Sequence, residues 1–503
     1  MTSNSPILYQ NTTSTVFLID IPTSIALAQE LSPESLTGTS SDNTTSQNAF
    51  LPFKETYSKK PRHLLSSAPL KTPYPASFEP KREAARAKVL ARNPGSRIHE
   101  EIWPLASDAL RDIRENYSPG SEWCLPRYLL QEDKAEDSKE GSDHSAWLAR
   151  IRSGKREREK RRRGDEENCP WYSHDEDAQL YPEYFGIRAC KGGPTTDDQI
   201  QPPVILSPGR NRFENETELC KNVVKNTSRE TATVEIRKIF SVKSLREFNV
   251  DLQKEERPQL VIVPPLSSFI LCNLPIPGTS RGVEYTNPIP SLPQDKKFNL
   301  IVLDPPWANK SVRRSGHYET QTYLDSELVM GYIRSILTTH SHFPSQDEDI
   351  PKDQSDLSIA AIWITNSAKA REAACGSLTG AGFTICEEWI WVKTTVDGQP
   401  VTPIEGVWRK PYEILVIGKR ERGSKVGAAG GILRRVIAAV PDVHSRKPNL
   451  KILFERIFFT PQFGPGDVLY SAMEVFARNL TAGWWACGNE VLKFNSESWW
   501  VDD

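Results

Sequence analysis

The apolar positions of the chain divide it into a polar upstream part and an apolar downstream part. From residue 259 onward, short apolar runs alternate with segments of helical periodicity, a pattern typical of a parallel sheet with crossover helices. Most of these runs are continuously apolar, as expected for strands that are covered on both faces. The predicted strands are residues 260–263, 269–272, 299–303, 359–365, 383–392, 414–417, 435–440 and 473–476.

Helical patterns separate several of these strands. Ser326 can cap a helix whose apolar residues share one face, and residues 367–379 and 449–458 have similar patterns. Residues 256–503 are therefore predicted to form one doubly wound α/β domain.

The upstream half has weaker patterns. An apolar run at residues 16–21 predicts a strand that ends at Pro22, followed by a helix that starts near Ser24. Residues 36–79 begin with a stretch rich in Ser, Thr and Asn, which buries too little surface to offset the entropy of ordering. We therefore divide this half into a short ordered element at 1–35, a flexible linker at 36–79 and a mixed accessory region at 80–255.

The composition is that of a globular protein with loose polar segments, since 38% of the residues are hydrophobic and 25% are charged. A formal net charge of -2 decides nothing about a nucleic-acid partner, because it averages local patches. The clearest patch is residues 155–163, with seven cations and two glutamates. Such a run is either a solvated helix face or disordered loop, or a nuclear import signal or phosphate-contacting patch. We expect a nuclear protein, with the cytoplasm as an alternative location.

Targeting and cysteine patterns narrow the class further. Residues 1–10 lack the basic flank and apolar core of a signal peptide, and the sequence has no apolar run of membrane-spanning length. The eight cysteines include no C-x-x-C pair, so neither a zinc cage nor a disulfide framework is indicated. We expect a soluble intracellular protein without a metal site.

The sharpest feature is the run Asp304-Pro305-Pro306-Trp307, which directly follows the predicted strand at residues 299–303. Open α/β sheets bind ligands beyond the carboxyl ends of their strands. The run is therefore expected at a ligand-binding edge of the sheet. The structural alternative is a strand-ending turn with an aromatic plug.

The residue types of this run suit chemistry on an exocyclic adenine amine, whose lone pair is delocalised into the ring. The Asp304 carboxylate and the Pro305 carbonyl can accept both N–H groups and turn the lone pair toward an electrophile. The two prolines fix φ and keep that carbonyl rigidly aimed. Trp307 offers a face for base stacking, which contributes about 1–3 kcal/mol in single-strand binders.

Together with this run, several other segments resemble the N6-adenine methyltransferases related to the catalytic subunit of the messenger-RNA adenosine methylase. Within that family the sequence is most similar to the branch called methyltransferase-like four. The resemblance extends over about residues 259–494 and implies a Rossmann-like, permuted S-adenosylmethionine-dependent methyltransferase domain at the C-terminus, after a mixed N-terminal region with flexible linkers. The similar segments are residues 304–315, 389–394, 410–413, 444–448, 474–480, 483–484 and 488–492.

The resemblance implies a cofactor site made of scattered residues. Lys447 would pair with the methionine carboxylate of S-adenosylmethionine, since a cation suits a carboxylate. Arg478 and Asn489 would hold the carboxylate or ribose side, and Asn489 and Glu490 can bond ribose hydroxyls. The segment beside the cofactor adenine has Asn273 where the family usually has Asp. The full predicted set is Cys272, Asn273, Leu274, Asp304, Lys447, Phe476, Arg478, Asn489 and Glu490.

Basic residues flank the catalytic run, and cations there would hold the phosphates around a flipped base. The alternative is a mobile basic surface loop. Trp408, in a loop, is a further candidate for base stacking, whereas the strand residues Trp363, Trp389 and Trp391 are predicted to be core residues. The predicted substrate-binding residues are Asn309, Lys310, Ser311, Arg313, Arg314, Arg409 and Lys410.

We therefore expect an active methyltransferase that uses S-adenosylmethionine to methylate N6 of an adenine in nucleic acid. The intact catalytic run favours this over an inactive nucleic-acid-binding scaffold, and the basic loops argue against a small-molecule methyltransferase. The branch resemblance implies RNA, including 2′-O-methyladenosine of a small nuclear RNA, with DNA as the alternative. Because the predicted site is complete, no partner subunit is required and a monomer is expected.

Replacing Arg313 and Arg314 together by alanine should weaken nucleic-acid binding and flatten its salt dependence. Each lost phosphate contact removes about one unit from the slope of log K against log salt. Cofactor affinity should not change. Fluorescence anisotropy titrations at several salt concentrations measure the slope, and an unaltered slope would show that these arginines contact no phosphate.

Overall fold

The protein is described here by a computed structural model. The described residues are 5–31, 62–74, 80, 82–91, 96–118, 120–130, 201–238, 258–274, 287–307, 326–343, 357–407, 410–420, 431–443, 445–459 and 470–502. None of the helices in these ranges is long and apolar enough to cross a membrane.

The upstream half contributes eight strands and three helices to the described part of the chain. They are β1 (Ile7–Gln10), β2 (Val16–Ile19), α1 (Ile21–Ala28), β3 (Arg62–Ser66), α2 (Glu83–Ala91), α3 (Ser96–Asn116), β4 (Tyr128–Leu129), β5 (Val204–Leu206), β6 (Gly209–Asn215), β7 (Val223–Asn226) and β8 (Ala232–Lys238).

The downstream half alternates strands and helices, as its sequence pattern predicts. Its elements are β9 (Gln259–Val263), β10 (Ser268–Leu271), β11 (Leu300–Leu303), α4 (Ser326–His340), β12 (Ser358–Ile364), α5 (Ala368–Gly380), β13 (Thr384–Lys393), β14 (Tyr412–Arg420), β15 (Leu433–Ala439), α6 (Lys451–Phe458), β16 (Ala472–Val475), β17 (Trp485–Gly488) and β18 (Trp500–Asp502). The α/β class is confirmed, and every predicted strand and helix is present to within a few residues. The predicted strands of this half did not include β17 or β18.

The central sheet has twelve strands in the order β1-β2-β15-β13-β14-β12-β11-β16-β17-β10-β7-β5. Its middle is mostly parallel, as the pattern of alternating strands and helices indicates, but β14 runs antiparallel to both β12 and β13, so the sheet is mixed at this point. The described residues between β13 and β14, 394–407 and 410–411, contain no helix, and a parallel crossover usually needs one. Strand β9 pairs instead with β8 in a separate sheet of three strands, β6-β8-β9.

The central sheet does not follow the domain boundaries predicted from the sequence. Strand β2 pairs in parallel with β15, and β7 and β5 extend the opposite edge beyond β10. Part of the predicted linker is also a strand, since β3 pairs with β18 and buries Leu64. Upstream segments are therefore structural parts of the downstream sheet.

Helix α1 begins earlier than predicted. Asp20 is its N-cap, and the Asp20 carboxylate accepts a hydrogen bond from the Thr23 backbone N–H at 3.0 Å. Pro22 lies in the first turn, where a missing N–H costs no helical hydrogen bond. Pro22 therefore lies inside the helix, whereas the sequence pattern predicted that the helix would start near Ser24.

Both faces of the sheet are covered, which explains its apolar strands. Helices α3, α4 and α5 contribute to the core on one face, and α1 and α6 contribute to the core on the other. Trp363, Trp389 and Trp391 are 5%, 0% and 3% exposed, which confirms that they are core residues.

The carboxyl ends of the parallel strands meet at one edge of the sheet. Leu303 at the end of β11 lies beside Ile362 of β12 and Val475 of β16. Leu271 at the end of β10 lies beside Gly488 at the end of β17. Because the chain leaves β11 toward β12 on one side and reaches β16 on the other, β11 stands where an open α/β sheet binds ligands.

Gly488→Ala should destabilise the protein more than Gly483→Ala. Gly488 has φ +152, and a Cβ there would lie 3.2 Å from the Phe476 Cα and 3.3 Å from the Ala477 N, so the ends of β16 and β17 would separate. The φ value alone should cost about 1–3 kcal/mol. Gly483 has φ +78 but open space around it, so its variant carries only the backbone cost. Urea unfolding compares the two, and equal losses would show that the close approach is unimportant.

Candidate active site

The predicted catalytic run forms a tight turn at the end of β11. The Asp304 N–H donates to the Val475 carbonyl at 3.2 Å, which fixes the turn to the neighbouring strand. The Trp307 N–H donates to the Pro305 carbonyl at 2.8 Å, so one lone pair of that carbonyl is already used. The indole Nε1 of Trp307 donates to the Trp363 carbonyl at 2.6 Å. Trp307 is half-buried and its orientation is fixed, while Pro306 is exposed.

Asp304 is held by two cations. The Lys447 Nζ lies 2.9 and 2.8 Å from the two carboxylate oxygens, and the Arg478 Nη1 lies 3.5 Å from one of them. All three side chains are about one-fifth exposed, at 18%, 18% and 22%. Partial shielding from water strengthens the attraction between these charges, and the remaining exposure lets a ligand reach them.

Lys447 also contacts a second carboxylate. Its Nζ lies 3.4 Å from Glu413 at the start of β14, and Glu413 lies 2.6 Å from the Nζ of Lys393 at the end of β13. Burial acts to raise the pKa of Glu413, but Lys393 and Lys447 outweigh it and hold that pKa well below its usual range. Burial acts to lower the pKa of Lys447, and Asp304 and Glu413 outweigh it, so the lysine stays charged.

Charges alternate along this edge of the sheet. The row runs from Arg478 through Asp304, Lys447 and Glu413 to Lys393, each contacting the next. Neighbouring charges of opposite sign favour the ionised forms of Glu413 and Lys447. An anionic group of a ligand can bind here by competing with the Asp304 carboxylate for Lys447 and Arg478.

The predicted cofactor residues fall into two groups. Asp304, Lys447, Phe476 and Arg478 line one cleft, together with Trp363 and Glu474. Cys272, Asn273, Leu274, Asn489 and Glu490 are not among its lining residues and lie along the edge formed by the ends of β10 and β17.

The second group has exposed and buried members. Asn273 and Asn489 are exposed, while Cys272 is buried and its N–H donates to the Gly488 carbonyl at 3.3 Å. Glu490 is 5% exposed and contacts Arg478 at 3.3 Å. Glu490 therefore anchors Arg478, whereas the two exposed asparagines lie on the predicted ribose and adenine side.

Of the predicted substrate-binding residues, only Lys410 lies in the described part of the chain. Its Nζ donates to the Gly406 carbonyl, and the side chain is half-buried. Outside the described residues lie Asn309, Lys310, Ser311, Arg313, Arg314 and Arg409, together with Trp408 and the basic run at 155–163.

The sequence alone did not assign a role to Glu474, Glu413 or Lys393. Glu474 lines the cleft on strand β16. Burial and the nearby Asp304 carboxylate raise the pKa of Glu474 to about 8, against the opposing effect of Lys447 and Arg478. The sequence signal that could have identified Glu474 is its position as a single carboxylate inside a short apolar strand. The Glu413–Lys393 contact depends on the pairing of β13 with β14, which no motif reveals.

The cleft suits a ligand with an anionic end and an adjacent apolar part. Two cations face it, and the half-buried Phe476 provides an apolar surface. Among the described residues no group of three or more His, Cys, Asp or Glu side chains is arranged to hold a metal ion.

Comparison with known proteins places a family signature over this region. Residues 298–490 match the MT-A70 family model. Over 208 residues the chain is 39% identical to a protein of Cryphonectria parasitica named N6-methyladenosine RNA methyltransferase MTA1, covering 41% of this chain and 55% of that protein. It is 32% identical over 256 residues to the mouse protein named N(6)-adenine-specific methyltransferase METTL4, covering 48% of this chain and 45% of that protein.

A third relative is named for a different nucleic acid. The chain is 27% identical over 237 residues to a Caenorhabditis elegans protein named DNA N6-methyl methyltransferase, covering 47% of this chain and 54% of that protein. The chain thus spans about half the length of the curated relatives it matches.

Glu474→Gln should make the stability of the ligand-free protein less dependent on pH. A carboxyl group with a pKa of about 8 in the folded state holds its proton more tightly than in the unfolded state, where the pKa is near 4.5. Its contribution to stability is full below pH 4.5 and is lost as the pH rises to 8. Thermal melts between pH 6.5 and 8.5 should therefore show a steeper fall for the wild type than for the variant. Parallel curves would show that Glu474 is ionised at neutral pH.

Proposed function

We propose that this chain, which carries an MT-A70 domain over residues 298–490, transfers a methyl group from S-adenosylmethionine to N6 of an adenine in nucleic acid. The observation that carries the proposal is the position of Asp304. It follows the central strand of the sheet and its carboxylate is bracketed by Lys447 and Arg478. That arrangement supplies an acceptor for an amine beside two cations for an amino-acid carboxylate.

The residues of the cleft fit the proposed cofactor. S-adenosylmethionine supplies an electrophilic methyl group on a sulfonium, together with a carboxylate that Lys447 and Arg478 can bind. Phe476 offers an apolar contact, and the exposed Asn273 and Asn489 can bond the polar edges of a nucleoside. A carboxylate that engages the two cations would weaken their hold on Asp304.

Asp304 would then act on the substrate. Its carboxylate accepts an N–H of the adenine amine, and the Pro305 carbonyl has one lone pair left for the other N–H. Held in this way, the amine presents its own lone pair for attack on the methyl carbon. As N6 bonds to the methyl carbon and the carbon–sulfur bond breaks, N6 would gain positive charge, which the nearby carboxylate would stabilise. S-adenosylhomocysteine would leave as the thioether, and the surplus N6 proton would pass to water by way of the Asp304 carboxylate.

RNA is the proposed substrate, with an adenosine flipped out of its stack into the cleft. The name of the Cryphonectria relative specifies RNA, and the name of the mouse relative specifies adenine without naming the nucleic acid. The resemblance to the methyltransferase-like four branch extends the proposal to 2′-O-methyladenosine of a small nuclear RNA. DNA is the alternative, supported by the name of the nematode relative. We further propose that the protein acts in the nucleus as a monomer.

Two other functions compete with this proposal. An inactive nucleic-acid-binding scaffold would not need a carboxylate at residue 304 or cations around it, and both are present. A small-molecule methyltransferase would not need the basic residues that flank the catalytic run, such as Lys310, Arg313 and Arg314.

Nucleoside mass spectrometry tests the substrate. The full chain is incubated with isotope-labelled S-adenosylmethionine and four matched oligonucleotides: RNA with adenosine, RNA with 2′-O-methyladenosine, single-stranded DNA, and RNA without adenine. Labelled N6-methyl product in either adenine-containing RNA supports the proposal, and the preferred arm identifies the acceptor. Label in DNA alone would replace RNA as the substrate, and transfer to none of the four would favour the scaffold.

Asp304→Asn should lose methyl transfer while keeping the fold. The side chain keeps its size but loses its charge, and one terminal group becomes a donor that faces the amine. The loss of one preorganised electrostatic group costs about 10²–10³ in rate, and we expect at least that loss. Asp108→Asn is the matched control, because Asp108 lies on α3 with 66% of its side chain exposed.

Single-turnover transfer and calorimetry of S-adenosylmethionine binding separate the two effects of Asp304→Asn. Binding should persist, since Lys447 and Arg478 remain. Near wild-type transfer by the variant would remove Asp304 from catalysis.

A further inference from the structure

We propose that a buried cluster of Arg127, Asp442 and Arg446 positions Lys447, so that segments outside residues 298–490 complete the cofactor carboxylate site. The inference rests on the proposed function, which assigns the methionine carboxylate to Lys447. Arg127 and Arg446 act through Lys447 and are positioning residues.

Arg446 is the centre of the cluster and directly precedes Lys447. Its side chain is 1% exposed, and its Nη1 lies 2.7 Å from the Asp442 carboxylate, which is 0% exposed. The same Nη1 donates to the Leu65 carbonyl of β3 at 2.9 Å. The guanidinium also packs on Phe494 and Trp499, with ring centroids at 4.4 and 4.5 Å.

Arg127 holds the other end of the same loop. Its Nη2 donates to the Val440 carbonyl at 2.9 Å, and its Nη1 donates to the Pro441 carbonyl at 2.9 Å. A further bond from Nη1 reaches the Ser67 carbonyl at 3.1 Å, and the Ser67 N–H in turn donates to Asp442 at 2.9 Å. The loop is therefore tied at both ends to the segments that carry β3 and β4.

These contacts matter because the described residues of the loop, 440–443 and 445–450, contain no helix or strand. It runs from the end of β15 to the start of α6, and Ser445 has a left-handed backbone with φ 62. The four-carbon stem of Lys447 has a limited length, so its Nζ reaches Asp304 only if the loop backbone lies close to the cleft. Its neighbour Arg446 cannot move without taking the nearest cation away from the buried Asp442 carboxylate, which would keep only the Arg127 guanidinium at 4.0 Å and neutral donors. Removing one partner of a buried ion pair is strongly unfavourable.

The partners of the cluster come from outside the matched family segment. Leu65, Ser67 and Arg127 precede it by far in sequence, and Phe494 and Trp499 follow it. Helix α1 adds one more contact, since the Asn449 N–H donates to the Ser24 hydroxyl at 3.0 Å. The loop that carries Lys447 therefore packs against the flanking segments and is hydrogen-bonded to them.

A double-mutant cycle on the full chain distinguishes positioning from general stability. Calorimetry measures S-adenosylmethionine affinity for the wild type, Arg446→Met, Lys447→Met and the double variant. If Arg446 acts through Lys447, Arg446→Met should weaken binding about 10-fold or more in the wild type, as expected for disturbing a charged hydrogen bond. In the Lys447→Met background it should have almost no further effect. The same factor in both backgrounds would overturn the proposal.

Arg435→Met is the matched control. Arg435 is similarly buried and donates to both Glu387 oxygens at 2.7 and 2.9 Å, but it lies on β15 away from the loop. Its loss should lower the melting temperature without changing affinity. A tenfold loss of affinity in this control as well would show that destabilisation alone weakens binding, and would overturn the proposal.

Arg446→Lys extends the cycle if the methionine variant does not fold. Lysine keeps the charge beside Asp442 but has no planar fork to bond Asp442 and Leu65 together. It should weaken binding less than methionine and again only when Lys447 is present, and unchanged affinity would overturn the proposal. A wild type that binds no S-adenosylmethionine would instead reject the proposed function, a result distinct from an additive cycle.

Discussion

The ion pair between Asp304 and Lys447 joins residues 143 positions apart in the chain, and the arrangement of the cleft depends on it. Asp304 is placed by the end of β11, whereas Lys447 comes from a loop that leaves β15 on the other side of β14 and β13. The two meet only if strand order, register and loop conformation are all correct. Glu413 contacts Lys447 and Arg478 contacts Asp304, so positive and negative charges alternate along this edge of the sheet.

The conformation of the Lys447 loop depends in turn on distant parts of the chain. A buried hydrogen-bond network at Asn495 also joins distant parts of the chain. The Asn495 Nδ2 donates to the Gln29 side chain at 2.7 Å and to the Ile262 carbonyl at 2.9 Å. The Asn495 Oδ1 accepts from the Leu480 N–H at 2.6 Å. Buried polar groups of this kind stabilise one arrangement because each must be satisfied. The upstream and C-terminal segments thus share one folded unit with the sheet.

The sequence predicted what local periodicity and composition control. Strands buried on both faces appear as continuous apolar runs, and the position of Asp304 after such a run placed it at the ligand-binding edge. The direction of strand pairing was harder to predict, because the apolar pattern of β14 is compatible with either a parallel or an antiparallel strand. The contacts of Glu413 with Lys393 and of Arg446 with Leu65 depend on register and on burial between remote segments. Isolated arginines and glutamates in a sequence look like ordinary surface residues, so neither contact had a local signal.

The pairing of β2 with β15 and of β10 with β17 has a consequence for any shortened form of the protein. A fragment limited to residues 298–490 would keep β15 and β17 but lose both of these neighbours. Two rows of unpaired backbone N–H and C=O groups, flanked by apolar side chains such as Val436 and Ile437, would then face water. Exposed edges of that kind recruit strands from other molecules, so the fragment would tend to aggregate whatever the state of its catalytic residues.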